Sequence, residues 1–135
     1  MGRYTGHTAT FGISGQTTVI QVLSISGPGI SRDTIDTTDA DATNDWRTYA
    51  ASYVDGGELT LEINLDLDNA THKRAANGLL YGFNASGDPR TYVLTFASSE
   101  TWTFSGIITG FEPSNPHDGT STASVTVKVA GEIAF

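Results

Sequence analysis

The sequence predicts a mainly β protein: a two-layer antiparallel β-sandwich or half-barrel with one flanking helix. Three observations support this fold class. Apolar and polar residues alternate in several segments, glycine occurs 15 times, and only 16% of the residues are charged. A helical bundle would use more Lys, Glu, Ala and Leu, so this composition favours strands joined by turns. The length of 135 residues fits one domain spanning 1–135.

The first part of the chain predicts two strands and a long connection. Residues 16–27 are rich in β-branched side chains and end at Gly27-Pro28-Gly29, which predicts a strand followed by a turn. Residues 30–38 predict a weaker strand with a mixed face. The polar stretch 39–57 that follows predicts an irregular connection, long enough to indicate a function of its own.

The segment GGELTLEINLDL, residues 56–67, alternates without interruption and predicts a strand. Its leucines and isoleucine occupy one side, at positions 59, 61, 63, 65 and 67. The opposite side carries three carboxylates and no cation, and consists of Glu58, Thr60, Glu62, Asn64 and Asp66. This polar side is the first candidate functional surface.

The period then changes from two to that of a helix. Apolar residues and one histidine recur at helical spacing between 68 and 83, at His72, Ala75, Ala76, Leu79, Leu80 and Phe83. Asp68 or Asn69 is a suitable N-cap, and Gly82 is a suitable end. This is the single helix that the sequence predicts.

The last third of the chain returns to strand patterns. Residues 90–97, 101–112 and 122–135 alternate, with a loop at 113–121. Gly106 and Gly110 interrupt the second of these strands and predict bends or bulges. The third strand places its valines inside and a row of Thr, Ser and Lys outside.

Composition and charge exclude several classes of protein. The absence of cysteine excludes disulfides, zinc-thiolate sites and thiol nucleophiles. Fifteen acidic residues against seven basic ones give a net charge of −8, and ten of the acids lie between Asp33 and Asp68, where Arg47 is the only base. A protein that binds DNA needs a basic patch to neutralise the phosphates, and the sequence shows none. With neither a signal peptide nor an apolar run of membrane length, we expect a protein made in the cytosol with no membrane partner.

No motif for catalysis, a cofactor or a metal emerges. His7, His72 and His117 are scattered without metal-ligand spacing. Glu58 and Glu62 would lie about 13 Å apart on one strand, beyond the ~5–10 Å of a glycosidase pair. An acidic cluster consists of Asp36, Asp39, Asp41 and Asp45. Clustered oxygens are typical of a calcium site, and the simpler interpretation is a solvated loop with Asx-turns. We therefore expect no enzyme, no cofactor and no metal.

Aromatic residues stand out in the polar stretch. Trp46, Tyr49 and Tyr53 lie among acidic residues, which is typical of a contact surface on a long loop. The alternative is that Trp46 folds back and covers one open end of the sandwich. If Trp46 is a contact residue, Trp46→Ala should leave a folded monomer that does not polymerise.

The order of these motifs resembles one family. A Gly-Pro-Gly turn, a strand ending IDTTD, a Trp-Arg loop, and an Asp-x-Gly-Glu entry to an alternating strand are similar to the lambda-like tail tube proteins of long-tailed bacteriophages and phage-like particles such as gene transfer agents. The matching positions are Ile35, Asp36, Thr37, Trp46, Arg47, Asp55, Gly57 and Glu58. The chain has Asn44-Asp45-Trp46-Arg47 where the family often has Gly-Gly-Trp-Arg. We expect the single domain 1–135 without the C-terminal immunoglobulin-like domain that many members carry.

The resemblance implies a structural virion protein rather than an enzyme. Hexameric rings would join their sheets into one barrel, stack into a tail tube, enclose a tape-measure protein, and end at tip and terminator proteins, while DNA passes through the lumen without specific binding. The polar side of 56–67 would then line the lumen. The long connection would contact the next ring through Asp39, Asp41, Asp45, Trp46, Arg47, Tyr49, Tyr53 and Asp55.

Two other functions stay open at this point. One is the tube subunit of a contractile or secretion system, which would share the fold and the ring. The other is a monomeric carbohydrate-binding β-sandwich that uses Trp46, Tyr49, Tyr53 and Trp102 as a platform. Trp102 alternates with Phe104 and Ile108, which predicts a core position and weakens this last interpretation.

Overall fold

A computed structural model describes residues 9–13, 18–19, 21–41, 43–72, 78–83 and 89–135. These residues form eight strands and two short 3₁₀ helices. The strands are β1 Thr10–Ile13, β2 Val22–Ser26, β3 Ser31–Asp36, β4 Tyr49–Asp55, β5 Glu58–Asn64, β6 Arg90–Thr95, β7 Thr101–Ser114 and β8 Thr122–Ala134. The 3₁₀ helices are Thr43–Asp45 and Leu79–Phe83. The prediction of a mainly β protein is confirmed.

Six strands form one antiparallel sheet in the order β1-β6-β7-β8-β5-β2, and β3 and β4 form a separate hairpin. Strands β7 and β8 are 14 and 13 residues long, more than twice the usual strand length. Strand β6 pairs with residues 101–106 of β7, and residues 106–114 of β7 pair with 122–129 of β8. The long strands therefore belong to two halves of a curled sheet.

We call these the front half and the back half. The front half consists of β2, β5, residues 122–129 of β8 and residues 107–114 of β7. The back half consists of β1, β6, residues 101–106 of β7 and the end of β8. This is the half-barrel form of the predicted fold, in which strands change layers through bulges.

The bend in β7 occurs where the sequence predicts it. Register shifts against β8 lie between Phe104 and Gly106 and between Ile108 and Gly110. A Cβ atom at Gly106 would lie 2.9 Å from Cγ1 of Val127 and 3.1 Å from Cδ2 of Tyr92. The front half and the back half meet at this point, and only glycine leaves them room.

One hydrophobic core lies between the two halves. Its members come from alternate positions of β5 and β8 in front and of β1 and β6 behind, which follows from the period-two pattern. The fully buried side chains are Phe11, Leu59, Leu61, Ile63, Leu79, Tyr92, Val125 and Val127. Phe11 and Tyr92 stack with ring centroids 5.4 Å apart.

The alternation of β5 is confirmed over the strand itself. Leu59, Leu61 and Ile63 are fully buried, whereas Glu58, Thr60 and Glu62 are exposed. The strand ends at Asn64, and residues 67–72 form turns, so the prediction that Leu67 lies inside is wrong. Leu67 is 52% exposed because the alternation of a strand does not continue through a turn.

Two strands were not predicted. Strand β1 is only four residues long, yet its Phe11 is fully buried. Strand β4 occupies part of the polar stretch 39–57, so the expectation of an irregular connection there is wrong. Its backbone pairs with β3, and since neither strand has a buried face, no apolar alternation marks them.

The predicted helix of 68–83 is described only at its two ends. Residues 67–72 form turns, and Leu79–Phe83 form a 3₁₀ helix, while 73–77 lie outside the described residues. His72 is fully buried, as its place on the apolar side predicts, and its Nδ1 accepts a hydrogen bond of 3.2 Å from the N–H of Asp66. Within the described residues, no helix has the length and apolar character needed to cross a membrane.

Candidate functional site

The outer face of the front half is a continuous polar surface. Residues that pair across antiparallel strands point to the same side of the sheet, so the register defines this face. Ser24 pairs with Glu62, Glu62 with Ser124, and Ser124 with Glu112, which crosses all four strands. Most of the remaining positions carry hydroxyl or amide groups: Ser26, Thr60, Asn64, Ser114, Thr122 and Thr126. We call this surface the polar face.

Three carboxylates lie on the polar face, two from β5 and one from β7. Glu62 and Glu112 flank Ser124 on opposite sides, two strand spacings or about 10 Å apart. Sequence reasoning missed Glu112, because only the register of β7 against β8 brings it beside the β5 acids. The face as a whole carries one cation, since Lys128 pairs across from Glu58.

Asp66 lies beyond the end of β5, in the turn. Its Oδ1 accepts a 3.0 Å hydrogen bond from the N–H of Asp68, and its Oδ2 accepts a 3.4 Å bond from the Gln21 amide. The structure thus separates Asp66 from the other four residues of the predicted polar side and gives it a turn-forming contact.

The front half has two strand edges on which no described residue of the sheet pairs. One is β2, which pairs only with β5. The other is 107–114 of β7, which pairs only with β8 because β6 ends its pairing at Gly106. Each edge carries an exposed apolar side chain, Leu23 at 55% and Ile107 at 39% exposure. Such edges are templates for pairing with another chain.

The β3–β4 hairpin is the second candidate surface. All six residues of β3 and six of the seven in β4 are exposed, so both faces of the hairpin are open to solvent. The pairing runs from Ser31 opposite Asp55 to Asp36 opposite Tyr49. The hairpin therefore projects from the sheet instead of covering it.

The tip of the hairpin is fixed by polar contacts. Arg47 Nη1 lies 3.1 Å from Asp36 Oδ2, and the N–H of Thr48 donates a 2.8 Å bond to the Thr38 hydroxyl. Hydrogen bonds from the Thr38 side chain, from its backbone N–H and then from Arg47 lower the pKa of Asp36 below its usual 3.8. Asn44 and Asp45 adopt left-handed backbone angles directly before Trp46.

The base of the hairpin is fixed to the sheet. Asp55 Oδ1 accepts a 2.9 Å bond from the N–H of Gly57 and lies 3.6 Å from Lys128 Nζ. The Gly57 bond and then the charge of Lys128 lower the pKa of the Asp55 carboxyl. At Gly57, φ is +69°, and a Cβ atom would collide with the carbonyl of Gly29, so this turn requires glycine.

The aromatic residues of the polar stretch are exposed. Trp46, Tyr49 and Tyr53 are 74%, 57% and 92% accessible, so Trp46 does not cover an end of the sheet within its own chain. Trp102 differs, since it is partly buried between Phe96 and Phe135 at ring distances of 4.9 and 4.8 Å. The prediction that Trp102 packs against the core is confirmed. This separates it from the hairpin aromatics and removes the common platform of the carbohydrate-binding alternative.

The acidic residues of the hairpin form Asx-turns. The Asp36 carboxylate accepts the N–H of Thr38, and the Asp39 carboxylate accepts that of Asp41, at 2.9 and 3.1 Å. Across the described ranges, no group of three or more His, Asp or Glu side chains is arranged to hold a metal ion. His7 lies outside the described residues.

The model of one sequence family, described as the lambda phage tail tube protein, matches residues 4–135. The chain belongs to this family. No curated protein matches its sequence. The resemblance carried by the Trp-Arg loop and the Asp-x-Gly-Glu entry to β5 is thereby confirmed.

Solved structures with the tail tube fold extend the likeness. The tail of an empty gene transfer agent particle, refined with C6 symmetry, aligns with a TM-score of 0.67 at 16% identity, covering 94% of this chain and 92% of the other. The virion of a native gene transfer agent particle gives 0.73 at 15% identity, with 98% of each chain covered. The sheath/tube terminator of an extracellular contractile injection system gives 0.75 at 16%, covering 99% and 96%. At this identity the likeness establishes the fold.

Proposed function

We propose that this chain is a structural subunit of a virion tail, whose six-membered rings stack into a tube through which DNA is ejected. The observation that carries the proposal is the pair of open strand edges on the front half of a chain whose family is that of tail tube proteins. A sheet with two open edges, a polar outer face and an apolar inner face can grow by adding copies of itself. This role needs no catalytic residue.

The strand directions support ring closure. The front half holds four strands that alternate in direction, β2, β5, β8 and β7. In a ring with a rotation axis, β2 of one copy would then lie antiparallel to 107–114 of the next. Six copies would give 24 strands, and a spacing of about 4.8 Å with a tilt of about 40° gives roughly 50 Å between opposite backbones. That opening exceeds the width of a nucleic acid duplex.

The polar face would be the wall of the lumen. Glu58, Thr60, Glu62 and Asn64 would point into the channel with Glu112, and Asp66 would lie at its end. Carboxylates repel the phosphates of a passing duplex within about one Debye length, roughly 10 Å in 0.1 M salt. Hydroxyl groups offer no positive charge for DNA to bind. DNA and, before it, a tape-measure protein would move along this wall without a specific site.

The hairpin would reach the adjacent ring. Its exposure on both faces and its exposed Trp46, Tyr49 and Tyr53 support a role in contacts between rings. The contacts would also include the acids Asp39, Asp41 and Asp45 and the ion-paired Arg47 at the tip, and Asp55 at the base. Tail tip and terminator proteins would bind the same surfaces at the two ends of the tube. A tube subunit of a contractile system would share this architecture and differ in its outer surface.

The test compares two equally exposed leucines. Leu23 lies on the β2 edge at 55% exposure, and Leu67 lies in a turn at 52%. Lysine on a strand edge opposes edge pairing. Leu23→Lys should raise the critical concentration for ring assembly at least about tenfold, which is about 1.4 kcal/mol, while Leu67→Lys should not. Sedimentation velocity and negative-stain electron microscopy measure rings and tubes.

Unmodified protein that stays monomeric at high concentration, even when seeded with tail tips, would contradict the proposal. Rings that form equally well with Leu23→Lys would contradict the assignment of β2 as the joining edge. Circular dichroism of each variant monitors the monomer fold, because both positions are exposed and neither change should unfold it.

A further inference from the structure

An open apolar groove lies at the base of the hairpin, where β4 meets the end of β8. Its volume is about 540 Å³, within the ~300–1,000 Å³ range of pockets that hold small ligands. The groove is lined mainly by Ile30, Val54, Val129, Gly131, Ile133 and Phe135. The floor is nearly buried, with Val129 and Ile133 at 5% and 7% exposure, whereas Ile30 and Val54 on the wall are 39% and 53% exposed.

The groove has a local cause in the register of β8. Gly106 of β7 pairs with Val129, whereas Phe104 pairs with Ile133, so the three residues 130–132 lie opposite Ser105 alone and form a bulge of two extra residues. The chain also passes close above Val129, since a Cβ atom at Gly56 would collide with Cγ1 of Val129. Gly131 itself faces open space, because a Cβ atom there meets no atom within 4 Å.

The same chain carries an exposed aromatic side chain that lies too far along the hairpin to reach this groove. Trp46 at the hairpin tip is 74% exposed, and Val54 in the groove wall lies at the other end of β4. The seven residues of β4 span roughly 23 Å at about 3.3 Å per residue. A projection and a pocket at separate places on one chain make a head-to-tail contact between copies.

We propose that Trp46 at the hairpin tip of one copy inserts into this groove on a copy in the adjacent ring. The inference rests on the proposed function and identifies the receiving surface for the hairpin. A buried aromatic anchor in a pocket is the usual centre of a protein interface. The groove thus holds the rings together, while the β2 edge holds each ring closed.

Charge adds a smaller contribution at the same contact. Arg47 follows Trp46 directly, and Glu132 lines the groove. Docking of the tip brings this guanidinium group, which also pairs with Asp36, towards that carboxylate, together with the Asp45 that precedes Trp46 and the Asp55 that also lines the groove. An exposed pair of this kind contributes about 0–1 kcal/mol, so burial of Trp46 supplies most of the affinity.

A photo-cross-linking experiment tests the contact directly. Trp46 is replaced by p-benzoylphenylalanine, which keeps an aromatic ring at the tip, and tubes are assembled from a mixture of ¹⁵N-labelled and unlabelled chains. Trypsin cuts after Lys128 and releases residues 129–135 as one peptide. We expect mixed-label cross-links from position 46 to that peptide or to the segment around Val54. Cross-links confined to one chain, or to any other surface such as β2, would overturn the inference.

A groove-filling variant tests the consequence. Gly131 lines the groove and a Cβ atom there meets no atom within 4 Å, so Gly131→Leu adds a large side chain at the groove, and Gly131→Ala is its matched control. Gly131→Leu should form single rings that do not stack, while Gly131→Ala and Trp46→Phe should form tubes. Trp46→Ala should likewise keep its folded subunit and fail to polymerise into tubes, and because its β2 edge is intact the product should be single rings instead of the monomer that the sequence alone predicts. Preformed rings of Trp46→Ala mixed with preformed rings of Gly131→Leu should give paired rings only, since one intact tip–groove interface remains.

The outcomes separate the two proposals. Tubes of unmodified length from Gly131→Leu, or a mixture that stays as single rings, would overturn the groove contact and leave the proposed function standing. An unmodified chain that forms no rings would overturn the proposed function itself.

Discussion

At the residue scale, Gly106 determines how closely the two halves of the sheet approach each other. Among the described glycines, it is the only position at which a Cβ atom would touch both Val127 of the front half and Tyr92 of the back half. Gly110, four residues further along β7, also lies at a register shift, but a Cβ atom there would be 3.7 Å from Thr126. The two glycines therefore have different functions, although both were predicted to mark bends or bulges.

We predict that Gly106→Ala destabilises the monomer and that Gly110→Ala does not. Overpacking a tight core position costs about 1–3 kcal/mol, whereas the contact at Gly110 is an ordinary one. Urea denaturation of each variant at concentrations below assembly measures the free energy of unfolding. Equal stability of the two variants would show that the halves can separate slightly without cost.

At the element scale, the β3–β4 hairpin folds without a hydrophobic face. Its two strands pair with each other and not with the main sheet. Polar contacts hold it at each end, the Asp36–Arg47 pair at the tip and the Asp55 contacts with Gly57 and Lys128 at the base. An element of this kind contributes little to the core and is free to serve in assembly.

Shortening the hairpin should therefore preserve the fold and abolish stacking. Replacing residues 33–53 by Asn-Gly joins Arg32 to Val54, which already pair, through a two-residue turn. We expect the free energy of unfolding to change by about 2 kcal/mol or less, since loop-closure entropy changes by about 0.6 kcal/mol per doubling of length and this replacement shortens the connection by between three and four halvings. Fluorescence of Trp102, then the only tryptophan, reports unfolding, and electron microscopy reports rings without tubes. An unfolded product would assign the hairpin to the core instead.

At the scale of the whole molecule, net charge opposes assembly. Each chain carries −8, so six copies of −8 give −48 in a ring. The screening length falls from about 30 Å at 0.01 M salt to about 10 Å at 0.1 M. Repulsion across and between rings is therefore strong in dilute buffer and weak near physiological ionic strength.

We predict that the assembled fraction rises as salt increases from about 0.01 to 0.1 M, the range over which the screening length shortens threefold. Replacing Glu62 and Glu112 by Gln removes two charges from the polar face and should reduce this dependence. Replacing the exposed Glu100 and Asp118 by Gln and Asn removes the same charge elsewhere and serves as the control. Pelleting assays at each salt concentration give the assembled fraction. A fraction that falls with salt would mean that ion pairs such as that of Arg47 dominate the contacts.

The sequence alone determined the strands that have one buried face. Alternation located β5, β6, β7 and β8 and the inward side of each, because burial of one face imposes a period of two on the side chains. The sequence also predicted the turn at Gly27-Pro28-Gly29, the two glycines at the register shifts of β7 and the place of His72 on an apolar side. The order of short motifs predicted the family.

The tertiary structure decided what depends on neighbours distant in sequence. The sequence did not predict strand β4, because the strand is exposed on both sides and shows no apolar alternation. Only its hydrogen bonds to β3 define it. The register of β7 against β8 brought Glu112 beside Glu62 and opened the groove at Gly131, and no local pattern encodes a register between strands. The free edge of 107–114 likewise depends on pairing between distant strands, because among the described residues β6 stops pairing at Gly106 and leaves this part of β7 available to another chain.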